Sequence, residues 1–290
     1  MDYHSERFED FSLVVLDDDK WVAVLPANVS NNEIHSHQGL TYGGLLYDDK
    51  LKLESIIEVF QAILQFLNEN KIEKLYLKSI PSFYFKKPAD ELNYALFLTN
   101  AKIIRSDCLS IIDLTKDFFV SKTRKESIRR GLKNELIIKE EFVFENFWNE
   151  ILIPNLDKKH NAKPVHSLDE IKKLHQLFPD NIRQFNVYYQ DKIVAGSTVF
   201  VFDEVAHPQY VSGQKDKNEL GCLDFLYDYL IKEIFKDKKV FDFGPSHEQN
   251  GKKINKGILF WKESFGVSTV SQNHYEIETK NFNLLDNILI

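Results

Sequence analysis

The residues of this 290-residue chain that could do chemistry gather on two apolar runs and the turns that follow them. In the run 205–212, alternation along a strand puts His207 and Gln209 on one face and Tyr210 on the other. A polar pair within a sheet either lines a site or meets water from an edge strand. In the run 240–243, Asp242 is the only charge, set between Phe241 and Phe243 at the end of a predicted parallel strand, where ligands of α/β sheets gather. Burial there raises a carboxylate's pKa unless it is hydrogen-bonded, which suits a general base or a substrate clamp. The simpler alternative is an aspartate that accepts bonds from the following turn. That turn carries Ser246, His247 and Glu248, and His247 or Glu248 could take a proton, against the plainer reading of a solvated loop.

A helix expected to begin near residue 220 presents free N–H groups and a partial positive charge to an anion. Gln214, Lys215, Asn218 and Gly221 would then hold a phosphate or pyrophosphate. Cys222, in the first turn, is either a thiol of lowered pKa or a packed core cysteine, and core packing is the commoner case. Lys122, Lys125, Arg129 and Lys133 recur at helical spacing beside Ile128 and Leu132. Such a flank suits a phosphate, a lipid-linked sugar diphosphate or a transfer RNA backbone, or is simply an exposed amphipathic helix. Other sites are dismissed: 244–252 has the wrong spacing for a P-loop, and His35 and His37 share a strand face without a third ligand nearby, so no metal site is expected. His-Glu-x-x-His and Gly-x-Ser-x-Gly are absent.

The elements that must position these residues occur in the same order twice. In the first half, strands over 11–16 and 21–25 flank the 17–20 turn, a third strand lies over 40–47, an amphipathic helix over 51–70, and a short strand over 74–78. The helix puts Ile56, Val59, Phe60, Ile63, Phe66 and Leu67 on one face. In the second half, strands over 185–189 and 193–202 flank the 190–192 turn, followed by a strand over 205–212, a helix over 220–235 and a closing strand over 240–243. The helix is long enough for a right-handed parallel crossover. Between the halves lie an extended run, 109–114, the basic helix 122–135, a strand over 136–142 and further helix to 156. Two α/β modules are expected, a partial one over 1–114 and a complete one over 115–290.

Composition supports a packed interior: 43% of residues are hydrophobic and 23 are Phe against one Met. The net charge of -7 is uneven, since the first 114 residues carry 18 acidic and 11 basic side chains and the remainder 26 of each. An acidic chain has no overall attraction for nucleic acid, so DNA is not an expected partner. The polar start, 1–10, lacks the apolar core of a secretory signal, charged residues interrupt 51–70 as a membrane span, and Cys108 and Cys222 give no disulfide framework. A cytoplasmic location without a transmembrane segment is expected.

This element order is that of the GNAT acyltransferase fold, and three local segments resemble the FemAB-like branch that carries two such modules. The first is Asp113-Leu114-Thr115 with the basic run from Lys122 to Lys133. The second is His207-Pro208-Gln209-Tyr210 followed by Leu220-Gly221 and Asp224. The third is Phe241-Asp242-Phe243-Gly244, then Ser246, Glu248, Asn250 and Gly251, then Asn255 and Lys262. Together they span roughly the last 180 residues. The resemblance implies an α/β fold of tandem GNAT-like modules, with mixed sheets flanked by helices. It also implies an N-acyltransferase that moves an acyl group from acyl-CoA to an amine, with Asp242, His247, Glu248 and His207 as catalytic candidates. Gln209, Tyr210, Ser246, Asn250, Asn255 and Lys262 would bind substrate, and Gln214, Lys215, Asn218 and Gly221 the acetyl-CoA. The Gly-rich phosphate loop of that family corresponds here to 214–221, with a single glycine. The implied acceptor is a small-molecule or lipid-linked amine, foremost an amino sugar of cell-envelope polysaccharide synthesis. An alternative is aminoacyl transfer from charged transfer RNA in peptidoglycan bridge synthesis, although the long helical-hairpin insertion of many such enzymes is missing. A catalytically silent binding module is a third reading, opposed by the polar residues at strand ends.

Overall fold

The computed structural model describes residues 5–288, so residues 1–4 of the polar start lie outside it. The chain forms two compact units. The first is Met1–Asp107 with Gln249–Gly251 and Ser271–Ile290, and the second is Cys108–Glu248 with Lys252–Val270. The modules expected over 1–114 and 115–290 are contiguous, whereas these units exchange short segments late in the chain.

In the first unit, Leu13–Asp17 and Lys20–Leu25 form the expected hairpin, turned by Asp18 and Asp19, both at positive φ. Two such residues give the tight turn whose twist matches paired strands. The strand expected over 40–47 shrinks to Leu46–Tyr47, paired with the hairpin, because a Cβ at Gly43 would lie 1.6 Å from the Ser36 carbonyl oxygen and the chain there bends closely past its neighbour. A second hairpin, Asn28–Ser30 with Glu33–His35, turns on Asn31 and Asn32 and escaped the sequence reading. It leads through the helix Leu53–Glu69 to the parallel strand Lys74–Lys78, beside which runs the 271–278 part of Ser268–Glu278. The helix buries Ile56, Ile57, Val59, Phe60, Ile63, Leu64 and Leu67, and leaves Phe66, expected inside, 45% exposed.

The second unit orders its strands as Lys102–Asp113 (its 108–113 part), Val240–Pro245, Val205–Gly213, Lys192–Val201, Ile182–Tyr189 and Ile137–Glu141. All neighbours are antiparallel except Val205–Gly213 with Val240–Pro245. That parallel pair is joined by the helix Cys222–Tyr229 and the π-helical turn Leu230–Ile234, the crossover expected from the 3.6-residue period. Gln190 and Asp191, at positive φ, turn the central hairpin. On one sheet face Phe185, Val187, Val199, Phe241 and Phe243 join Cys222, Leu226, Tyr227 and Phe265 in the core. Each such side chain stabilises by about 1.5–3 kcal/mol. The helix Lys122–Lys133 packs on Cys222–Tyr229 through glycines, since a Cβ at Gly131 would meet Phe225 Cβ at 2.5 Å and one at Gly221 the Ser127 carbonyl oxygen at 2.3 Å. Among the described residues no helix is long and apolar enough to cross a membrane.

Candidate active site

Strand alternation decides where Asp242 goes. Phe241 and Phe243 point into the core, so Asp242 takes the other face, where it has no solvent exposure. Its Oδ1 accepts the Gly244 N–H at 2.8 Å, and Gly244 reaches back because it holds φ +69°. Its Oδ2 lies 3.0 Å from Nδ1 of His207, and the same nitrogen is 3.1 Å from the Asp242 carbonyl oxygen. Both oxygens accept, so Nδ1 carries a proton and donates it toward them, which leaves Nε2 as the nitrogen able to exchange one. The general base and the turn-bonded aspartate were alternatives from sequence; Asp242 has the hydrogen bonds of the second and adds a histidine that can perform the first.

Two further groups reach the end of this strand. Lys262, on the helix Lys256–Glu263, is 5% exposed and donates from Nζ to the carbonyl oxygens of Gly244 and Pro245 at 2.8 and 2.7 Å. Burial pushes its ammonium down to about 8, against the opposing pull of Asp242. Two of its three protons are thereby placed. Ser246 is 6% exposed and its Oγ, buried, has no hydrogen-bond partner among the described residues. A buried hydroxyl left so costs roughly 1–3 kcal/mol, which a ligand's polar atom would recover. Glu248 and Asn255 are engaged in the local structure: Asn255 Oδ1 caps the helix by accepting the Ile258 N–H at 3.1 Å, and its Nδ2 donates to Glu248 Oε1 at 3.0 Å. His247, half-buried, and Glu248, exposed, pair with Lys253 and Ile254 in a short hairpin.

The expected sharing of a face by His207 and Gln209 is corrected. His207 stands opposite Phe200 and Tyr210 opposite Thr198, with a bulge between them, so His207 and Tyr210 share the face and Gln209 is the inserted, half-buried residue. Tyr210 is buried: its Oη accepts the His166 N–H at 3.1 Å and sits 2.7 Å from His166 Nδ1, and its ring meets Trp148 edge-on at 4.8 Å. Trp148 opens a π-helical turn, Trp148–Leu152, and donates from Nε1 to Thr198 Oγ1, which donates to Gln184 Oε1. A buried polar file therefore runs along this face. His166 and Trp148 had no sequence signal, because their partners lie more than 40 residues away.

The anion-site candidates lie between the strand Val205–Gly213 and the helix Cys222–Tyr229. Lys215 and Asn218 are exposed and Gln214 is half-buried, its N–H bonded to the Val194 carbonyl at 2.8 Å. Gly221, at φ +72°, is committed to helix packing against Ser127. Cys222 is fully buried and its thiol is pushed up to about 12 by burial, which makes it a core residue. Lys122, Lys125, Arg129 and Lys133 are exposed, while Arg124, between them, turns inward to pair with Asp224 and donate to Ser264 Oγ at 2.8 Å. Asn250 falls in the first unit, its Oδ1 3.5 Å from Arg105 Nη1. There His35 stacks on Tyr76 at 4.8 Å, and buried His37 accepts the Gly39 N–H.

No protein-family model and no curated protein matches the sequence. Among solved structures, FemX superposes with a TM-score of 0.67 at 9% identity, over 96% of this chain and 90% of its own. L-PGS from Bacillus licheniformis gives 0.64 at 13% identity, over 96% and 86%. The C-terminal domain of a protein assigned as a lysylphosphatidylglycerol synthetase, from Agrobacterium fabrum, gives 0.62 at 12% identity, over 92% and 83%. Identities this low speak for the fold alone: the chain shares with FemX and L-PGS a mixed α/β fold, its sheet strands flanked by helices.

Proposed function

We propose that the chain is an acyltransferase whose second unit carries the reaction, with His207, oriented by Asp242, taking the proton of an acceptor amine. The observation that carries this reading is the buried His207–Asp242 pair at the point where a parallel strand ends, on a fold shared with FemX and L-PGS. In this scheme the amine nitrogen attacks the acyl carbonyl as its proton passes to His207 Nε2. The carbon–sulfur bond of a CoA thioester then breaks, and the proton returns to the departing thiolate. The remaining Lys262 N–H and the Ser246 hydroxyl face the developing oxyanion, a role for which donors already in place are effective. Gln214, Lys215, Asn218 and Gly221 remain the proposed neighbours of the acetyl-CoA phosphates. The proposed acceptor is an amino sugar of the cell envelope, a choice supported by the sequence resemblance.

One observation favours a second reading. The likeness to a synthetase named for joining lysine to phosphatidylglycerol supports aminoacyl transfer, from charged transfer RNA to a lipid-linked amine or other acceptor. Purified protein incubated with a panel of acyl-CoA esters and amino sugars, and in parallel with aminoacylated transfer RNA, separates the two by mass spectrometry of the products. Acyl transfer from a thioester supports the first reading, and product from the aminoacyl donor alone replaces it with the second. Absence of product with every donor would leave a binding module on this fold and refute both.

A further inference from the structure

The first unit holds a second polar cluster, far in sequence from the residues above. Arg105 and Asp107 lie two apart on the strand Lys102–Asp113, and Lys78 stands opposite His274 in the pairing of the neighbouring strands. Asp107 is 4% exposed. It accepts from Arg105 through Nε at 2.6 Å and Nη2 at 2.9 Å, and His274 Nε2 lies 3.2 Å from its Oδ2. A guanidinium fork of this kind neutralises one carboxylate. Among the described residues Lys78 has no carboxylate of its own: its Nζ donates to the main-chain oxygens of Thr41 and of Leu40, the latter at 3.4 Å. Burial pushes this ammonium down to about 8, Asp107 opposes the shift and Arg105 adds to it.

Sheltered charges are ordinarily paired, and here Arg105 and His274 contact one aspartate whose charge also acts on Lys78. Lys78 and Arg105 against Asp107 leave an excess of one positive charge, to which the His274 imidazole adds a further hydrogen-bonding group. An anionic ligand would cancel it, and a phosphate, with several oxygens, can accept from the lysine, the guanidinium and the imidazole together. His274 is 19% exposed and Arg105 34%, so the cluster is open to a ligand on one side. We propose that Lys78, Arg105 and His274 form a phosphate-binding site in the first unit, with Lys78 as its central charge. The site stands independently of the acyl-transfer reading, because none of its residues belongs to the His207 set.

Calorimetric titration of the full chain with inorganic phosphate, at fixed ionic strength set with chloride, tests it. Saturable binding is expected, weakened at least about tenfold in Lys78→Met, with folding of the variant checked by its melting curve. His274→Gln, which can still donate to Asp107, serves as a second variant and should weaken binding several-fold. A nucleoside diphosphate and vesicles containing phosphatidic acid, titrated in parallel, distinguish a nucleotide source of the phosphate from a lipid one. Absence of saturable phosphate binding, or equal binding by wild type and both variants, would overturn the site.

Discussion

The two units hold clusters made of the same three residue types and joined differently. Each has a buried aspartate, a histidine against it, and a lysine that donates to two successive main-chain carbonyls: Asp107, His274 and Lys78 in the first, Asp242, His207 and Lys262 in the second. Both lysines are pushed down to about 8. The difference is Arg105. Its fork fixes Asp107 with a group that cannot give up its proton at any working pH, so that carboxylate is held in one state. Asp242 has the Gly244 N–H and an imidazole instead, and the imidazole can move a proton. Like composition therefore yields a charge lock in one unit and, in the proposed mechanism, a proton-transfer pair in the other.

Exchanging the two aspartates for asparagine is the sharpest way to break this comparison. Asp242→Asn keeps an oxygen for the Gly244 N–H but removes the charge that orients and stabilises His207. Transfer should fall by roughly 10²–10⁴-fold, about 3–5 kcal/mol in barrier, with a smaller change in melting temperature. Asp107→Asn should do the reverse, costing about 3 kcal/mol of stability in denaturant titration because Arg105 loses its counter-charge, while turnover per folded molecule holds. Equal turnover losses in both variants would end the distinction. Burial works to raise the Asp107 carboxyl, but the bonds from His274 and Arg105 outweigh it and hold the group well below the usual carboxylate range. Its stabilisation is therefore complete above about pH 4 and lost as pH falls further, a loss that Asp107→Asn should lack.

Lys262 gives a smaller effect of the same sign in an alkaline window. Its folded value near 8 lies below the unfolded 10.5, so the unfolded chain binds more protons between these limits and stability should rise with pH there. Lys262→Met should flatten that rise, worth at most about 3 kcal/mol and less after solvent relaxation. A rise of undiminished size in the variant would assign it to other groups. The smallest effect is expected at Asn255, whose cap on the helix carrying Lys262 contributes about 1 kcal/mol, so Asn255→Ala should lower stability by that amount in the same titration.

Local signals explain what could be read before the structure. The hairpins at Asp18-Asp19 and Gln190-Asp191, the helix Leu53–Glu69 and the parallel crossover to Val240–Pro245 follow from turn residues and hydrophobic period, which act within a few residues. Asp242 stood out as a lone charge in an apolar strand. The bulge at Gln209 did not, since it is a property of the register with Thr198 and Val199 on another strand. Ser167 and Glu170 form a capping box that was legible as Ser-x-x-Glu and missed. The Lys78, Arg105, Asp107 and His274 cluster was hidden for a different reason: a C-terminal strand supplies its histidine, and no local pattern announces that pairing.

The most direct measurement is the pH dependence of acyl transfer to an amine, once a donor has been found, in wild type and His207→Gln. If His207 is the base, wild-type kcat/KM rises with pH through an inflection, and His207→Gln loses both that inflection and roughly 10²–10⁴-fold in rate while keeping its fold. A His207→Gln protein that retains the inflection and a near-normal rate would contradict the assignment and move the base off the His207–Asp242 pair.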